Sequence, residues 1–289
     1  MISRGRALVN TVSCLRYGLK ESKGAEIVLR QYVVGDNAEE IAREFGGFQE
    51  QYHGSHRKLL SFMLSPTPED GRGLDRPRLR EIAKRFIREM KLSEHQAVAI
   101  VHRDRDHVHL HLYINRVDLM GRHERNGFLN LRTATAAQQV ALALGLTTVK
   151  EAIQKKLEPS KQIRGEIKAV HDKVIRRERP RNYDRYVKAM EKYHVKPVPF
   201  INNRNELMGF RFQYKDQSFK GSEVHPDMSM GNIAKQLSFD RRELKKIIAD
   251  RKMPFMGKHV KVPFHFAKVL IAKSVQMAQR VARDSAIEI

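Results

Sequence analysis

Residues Val101–Asp118 read VHRDRDHVHLHLYINRVD and hold four of the thirteen histidines in the chain, His102, His107, His109 and His111. From His107 to Val117 apolar and polar residues alternate with the period of a half-buried strand. His107, His109 and His111 therefore point to one face, and Val108, Leu110 and Leu112 to the other. The apolar run AVAIVH (Ala97–His102) precedes it, separated by the polar tetrapeptide RDRD, and the two runs predict a β-hairpin. A hairpin makes at least part of the sheet antiparallel. This decides the fold class: α+β, with an antiparallel-containing central sheet covered by helices, rather than a doubly wound parallel sheet.

Working outward, LLSFMLS (Leu59–Ser65) predicts a buried strand, closed by the loop PTPEDGRG. RPRLREIAKRFIREM, from Arg76, predicts an amphipathic helix with a proline in its first turn. Upstream, the apolar spacing of Ala7–Lys20 predicts a helix. EIVLRQYVV predicts a strand, and Asn37 caps a helix over AEEIAREFGGFQEQ. A helix near TATAAQQVALALG, with Gly145 at its C-terminal end, closes the first unit. From about Thr148 to Lys192 the chain is helical and very basic, broken by Pro180. Short strands with turns at NNRNE and YKDQ follow, and the remainder, including DRRELKKIIADRK, is expected to be helical. The expected division is a catalytic domain over 1–160 and a basic helical and small β accessory region over 161–289 that contacts DNA.

Fifty-five Lys and Arg against 33 Asp and Glu give a net charge of +22, which points to a polyanionic partner, nucleic acid before membrane. No apolar run reaches the eighteen or so residues of a membrane span, so a cytoplasmic protein with no membrane insertion is expected. The single cysteine, Cys14, excludes a cysteine cage, so a metal would be held by imidazole and carboxylate. Neighbours at i and i+2 on a strand lie about 7 Å apart and can share an ion, whereas i and i+4, about 13 Å apart, cannot. The turn sets His102 opposite His107 and diagonal to His109, as a donor from the partner strand. Spacing leaves open whether His107 and His109 or His109 and His111 complete the set. Asp104 and Asp106 are positioned to fix the ring tautomers. Three neutral nitrogens leave a divalent ion open positions, which suits polarising a phosphodiester oxygen.

The pattern His102-x-Asp104-x-Asp106-x-x-His109-Leu110-His111-x-x-x-Asn115 resembles the third motif of conjugative relaxases of the His-hydrophobe-His endonuclease superfamily. It looks most like the MobA/VirD-like mobilization branch, and GAEIVLRQ, LSFMLSPTPEDG and FRFQYKDQSFKGS extend the resemblance over most of the chain. The resemblance implies a ferredoxin- or RRM-like palm and a metal held by His102, His109 and His111, with Mn²⁺ or Mg²⁺ as the ion. It leaves His107 as a DNA-facing neighbour. It further implies a tyrosine that attacks single-stranded DNA at an origin of transfer, hairpinned beside the nick, leaving a 5′-phosphotyrosyl bond and a free 3′-hydroxyl. Expected partners are a relaxosome accessory protein and a type IV coupling protein and secretion system, with export into the recipient cell alongside the DNA.

Relaxases carry the tyrosine upstream of the histidines, which selects Tyr17 in VSCLRYGLK. Replication initiators of the same superfamily carry it downstream, where Tyr183, Tyr186 and Tyr193 lie, and Tyr32 and Tyr52 are further candidates. Asp104 is expected to act as a base through water or to orient a ligand ring. Asn115 is expected behind the ligands, or as an ordinary strand-end residue. Arg103, Arg105 and Arg116 beside the metal, the run Lys161–Arg181 and Ser61 are the expected DNA contacts, Ser61 being equally placed for a buried strand role. A non-catalytic DNA-binding accessory protein is the remaining alternative.

Overall fold

The computed structural model describes residues 1–103, 107–125 and 127–287, in two compact units, Met1–Lys156 and Leu157–Ile289. The first unit holds the strands β1 (Ile2–Leu8), β2 (Glu26–Gln31), β3 (Leu59–Ser65), β4 (His95–His102) and β5 (His109–Asp118). Its helices are α1 (Thr11–Gly18), α2 (Ala38–Gln49), α3 (Pro68–Arg72), α4 (Arg76–Glu89), α5 (Leu129–Ala143) and α6 (Val149–Leu157). The five strands form one sheet in the order β1-β3-β5-β4-β2, antiparallel at every pairing, so the α+β class with an antiparallel central sheet holds.

Each face of this sheet has its own core. Leu110, Leu112 and Ile114 of β5 and Ala97, Ala99 and Val101 of β4 pack against Leu79, Ile82 and Phe86 of α4 and Ala137 and Val140 of α5. On the opposite face Val98, Ile100, Tyr113 and Leu59 pack against Leu15 of α1 and Ile41 and Phe45 of α2. Caps fix where the covering helices start: the side chains of Asn10, Asn37 and Asp75 accept from Ser13 N, Glu40 N and Arg78 N, each at 2.9 Å. Gly145, at φ +65°, takes the left-handed turn after α5 that a Cβ would strain.

Two expectations for this unit need correction. The N-terminal helix begins at Thr11 rather than Ala7, because Ile2–Leu8 forms an edge strand on β3, pairing Ile2 with Ser65 through Leu8 with Leu59. The alternation in ISRGRAL carried that signal, and Asn10 is the cap that separates strand from helix. The hairpin register also differs: β5 begins at His109, so His102 lies opposite His109 and not His107. His107 and Val108 belong to the connection, where Val108 is buried against Gly71 of α3.

The second unit holds α7 (Lys161–Lys173), α8 (Tyr183–Glu191), α9 (Gly221–Val224), α10 (Met230–Gln236), α11 (Arg241–Asp250) and α12 (Phe264–Ile287). One sheet is β6 (Lys196–Ile201), β7 (Leu207–Tyr214) and β8 (Gln217–Lys220); a separate hairpin is β9 (Lys252–Phe255) with β10 (Lys258–Lys261). The basic helical run does break before Pro180, where Arg179 sits at φ +41°. The final stretch is not helical throughout, because the β9–β10 hairpin interrupts it.

Candidate active site

The register decides which side chains meet. His102 and His109 are cross-strand partners, Ile100 faces His111, and Val98 faces Tyr113. Ile100, Val98 and Tyr113 belong to the core under α1 and α2. The histidine row is therefore the outward continuation of that core, beginning where α1 ends. His102 is buried, and His109 and His111 are half-buried. The ring centroids of His102 and His111 are 4.3 Å apart, those of His109 and His111 6.4 Å, and those of His107 and His109 4.6 Å.

The end of α1 closes over this row. The Gly18 carbonyl accepts a 2.6 Å hydrogen bond from His102 Nε2. A carbonyl only accepts, so Nε2 carries the proton and the ring lone pair lies on Nδ1. Gly18 needs its lack of a side chain, since a Cβ there would come within 2.5 Å of the Tyr113 ring. One residue earlier, Tyr17 is 53% exposed, and its ring stands 6.2 Å from that of His102 and 6.3 Å from that of His111. The Lys23 ammonium lies over the same ring, 3.6 Å from its centroid. Tyr113, beneath them, is a core residue whose hydroxyl is held protonated by burial.

The imidazoles suit a divalent ion by donor type and by shared face. Two rings that share an ion through nitrogens at about 2.1 Å bring their centroids to roughly 5 Å. The His102–His111 pair is close to that and the His109–His111 pair is wider, so ring rotation would be needed to close the set. Among the described residues no three His, Cys, Asp or Glu side chains are already gathered as a metal-holding group. Asp104, Arg105 and Asp106 lie outside the described residues.

Other expected site residues fall in different places. Arg103 is exposed beside the row, its backbone N–H donating to Lys23 O at 3.1 Å. His107 is half-buried in the connection. Ser61 is half-buried on the histidine face, opposite Tyr113. Arg116 is not available to a ligand: it is 4% exposed, and its guanidinium donates to Glu124 O at 2.7 Å and Arg57 O at 2.9 Å, fastening two loops. Asn115 is fully buried. Its amide donates to Phe45 O and Gln96 Oε1, each at 3.0 Å, and its Oδ1 accepts from Gln49, so it ties α2 to the sheet. Of the alternative tyrosines, Tyr183 and Tyr186 are 2% and 0% exposed in the core of the second unit. Tyr193 is half-buried beside Lys173. Tyr32 adjoins Gln96 at the opposite end of β4 from His102, and Tyr52 stacks on His123.

Three basic residues on this face were not anticipated. Arg4 and Arg6 of β1 are exposed on the histidine side, since Arg4 pairs with Met63, itself opposite His111, and Arg6 pairs with Ser61. The i, i+2 spacing in Ser-Arg-Gly-Arg was the available signal. Nothing in KESKG marked Lys23, because its position over Tyr17 depends on how α1 and β2 meet.

A family model described as the nuclease domain of MobA/VirD2-like relaxases matches residues 17–146, most of the first unit but not β1. No curated protein and no solved structure matches the chain. With the histidine face and Tyr17 inside the matched span, residues 17–146 are similar to the nuclease domain of MobA/VirD2-like relaxases.

Proposed function

We propose that the first unit nicks single-stranded DNA at an origin of transfer by attack of Tyr17, and later rejoins the strand. The observation that carries this reading is the convergence of an exposed tyrosine, three imidazoles and an overlying lysine on one sheet face. In the nicking step the Tyr17 oxygen forms a bond to phosphorus while the bond from phosphorus to the 3′-oxygen breaks. The phenolic proton leaves to solvent or a base, and the departing oxygen takes up a proton as the 3′-hydroxyl. The 5′-phosphotyrosyl ester keeps the energy of the phosphodiester, so a 3′-hydroxyl can close the strand again without ATP.

A divalent cation on His102, His109 and His111, Mn²⁺ or Mg²⁺, would supply charge stabilisation at the non-bridging phosphate oxygens. The remaining tasks fall to the chain. The Gly18 carbonyl fixes the tautomer and orientation of His102. Lys23 holds the Tyr17 ring and stabilises negative charge as it develops on the phenolic oxygen. Arg4 and Arg6 lie two strands from the histidine row, about 10 Å away, on the path of the neighbouring phosphates. Arg103 and Ser61 border the same path. Asp104 is the proposed base or ring orienter.

The replication-initiator reading, with a downstream nucleophile, is disfavoured because Tyr183 and Tyr186 are buried. Action in the cytoplasm before export, and engagement of a relaxosome accessory protein and a type IV coupling protein, complete the proposal. Among the described residues no helix is long and apolar enough to cross a membrane. The test is to incubate the full chain with Mn²⁺ or Mg²⁺ and a labelled pool of single-stranded oligonucleotides. A DNA adduct that survives denaturation and maps to Tyr17, lost in EDTA and in Tyr17→Phe, is expected. Adduct formation by Tyr17→Phe at the wild-type rate would overturn the assignment.

A further inference from the structure

We propose that α10, α11 and the β9–β10 hairpin form a helix–turn–helix module that binds duplex DNA, with α11 as the element that enters the major groove. This goes beyond the nicking reaction and does not depend on it, since every residue involved lies in the second unit.

The turn between α10 and α11 is the four residues Leu237–Asp240. Leu237 and Phe239 are buried in it, and the Asp240 carboxylate caps α11 by accepting from Arg242 N at 2.8 Å and Glu243 N at 3.2 Å. A short, capped connection of this length joins the two helices of such modules. Ile233 and Ala234 of α10, Leu244 and Ile247 of α11 and Phe266 and Leu270 of α12 share one core. The hairpin follows α11 directly and joins that core through Met253, Phe255 and Val260. It is also anchored from the side: Met256 N donates to Asp184 at 2.8 Å, and Asn205 donates to His259 O at 3.3 Å.

What this scaffold leaves outside is a basic surface. Along α11 the exposed residues are Arg241, Arg242, Lys245, Lys246 and Ala249, one continuous stripe at helical spacing, with Asp250 at its edge. Lys252, Lys258 and Lys261 are exposed on the hairpin. Residues 241–261 carry eight Lys and Arg against two carboxylates, Glu243 and Asp250. Both carboxylates line the groove of about 550 Å³ between α11 and the hairpin, together with Lys246, Lys252, His259, Ile247 and Pro254.

Charge pairing distinguishes this surface from several other lysines of the unit. Lys161, Lys168, Lys192 and Lys215 each form an ion pair, with Glu158, Asp172, Glu178 and Glu166 respectively. None of the four cations on the α11 stripe, nor the three hairpin lysines, is in an ion pair with a described residue. The Lys161–Arg181 run, singled out in the sequence, is neutralised in part, at Lys161 and Lys168, while Arg176, Arg177, Arg179 and Arg181 have no ion pair with a described residue. Seven cations without an ion pair sit together on α11 and the hairpin, Arg241, Arg242, Lys245, Lys246, Lys252, Lys258 and Lys261.

The stripe also says which form of DNA it fits. Single strands are held by aromatic side chains on which bases stack, and the outward face of α11 has none. A ten-residue helix about 15 Å long, with arginines that reach guanine edges and lysines that reach phosphates, matches the major groove of a duplex.

The experiment titrates the full chain against a fluorescent stem-loop duplex and a single strand of equal length, over a range of salt. The variants are Arg241→Ala/Lys245→Ala/Lys246→Ala and, separately, Lys258→Ala/Lys261→Ala. All five side chains are exposed, and an unchanged melting curve checks the fold. For the triple variant the expected result is at least tenfold weaker duplex binding and a plot of log K against log salt that is shallower by about 2–3, at roughly 0.9 per lost phosphate contact. The hairpin variant should show a smaller change in the same direction. Single-strand affinity, and nicking of a stemless oligonucleotide, should be unchanged in both. Wild-type duplex affinity in both variants, or an equal loss for duplex and single strand, would overturn the proposal.

Discussion

Replacing Lys23 by Met keeps the length of the side chain and removes its charge, which isolates the part this lysine plays at Tyr17. From 3.6 Å above the ring centroid, the ammonium lies about 4.5 Å from the phenolic oxygen, where a full negative charge gains roughly 3–4 kcal/mol at an effective dielectric near 20 and about 1 kcal/mol in water. Tyr17 is 53% exposed, so salt and solvent draw the value toward the lower figure. Only part of the charge has developed in the transition state. A loss of about 1–2 kcal/mol follows, which is a rate of covalent adduct formation roughly 5–30-fold slower. The assay is single-turnover adduct formation on a saturating single-stranded oligonucleotide with Mn²⁺, followed across pH. The Lys23→Met defect should narrow as pH rises, because any phenol is then more often ionised without help. Lys23→Arg should keep most of the rate, since a guanidinium also sits on an aromatic face. A Lys23→Met rate within twofold of wild type at every pH would refute the reasoning. So would an equal defect at all pH values that Arg does not restore, because that pattern belongs to lost packing.

Other consequences concern the scaffold. Arg116→Ala leaves the carbonyls of Glu124 and Arg57 without their donor, and should lower stability by about 2–3 kcal/mol in urea melts; a change in the salt dependence of DNA binding with stability intact would return Arg116 to the interface. Phe86→Ala should cost about 3–5 kcal/mol, because the side chain is fully buried between α4 and the sheet; a loss under 1 kcal/mol would contradict that packing. His171 is fully buried, with Tyr186 at 2.8 Å on Nδ1 and Gln236 Oε1 at 3.2 Å on Nε2. Burial lowers its pKa, opposed by Gln236 and the charges of Asp172 and Asp227, and assisted by Lys168. The neutral ring is therefore the folded form, and its contribution, present above the unfolded value near 6.5, is lost as pH falls below it. Urea midpoints of the wild type should drop between pH 7.5 and pH 5 more steeply than those of His171→Asn, and parallel profiles would exclude His171 as the cause.

The contrast between what the sequence disclosed and what it hid follows from the range of the interactions involved. The β4–β5 hairpin was legible because alternation is a local property, and the same alternation put His109 and His111 on one face. The register was not, because it depends on where pairing begins, and β5 begins at His109 with His107 left in the connection. That two-residue difference brings His111, rather than His107, within 4.3 Å of His102. β1 escaped notice because an edge strand draws its hydrogen bonds from a segment more than fifty residues away, while Ala7 and Leu8 happen to continue the apolar spacing of α1. Arg4 and Arg6 were lost to view with it. Arg116 shows the reverse error: the residue type suggested a phosphate, whereas its neighbours supply two carbonyls. Residue type therefore told which chemistry is available on this chain. Pairing partners, which no local pattern encodes, decided where that chemistry faces, and the same reasoning separates the paired lysines of α7 from the unpaired ones of α11.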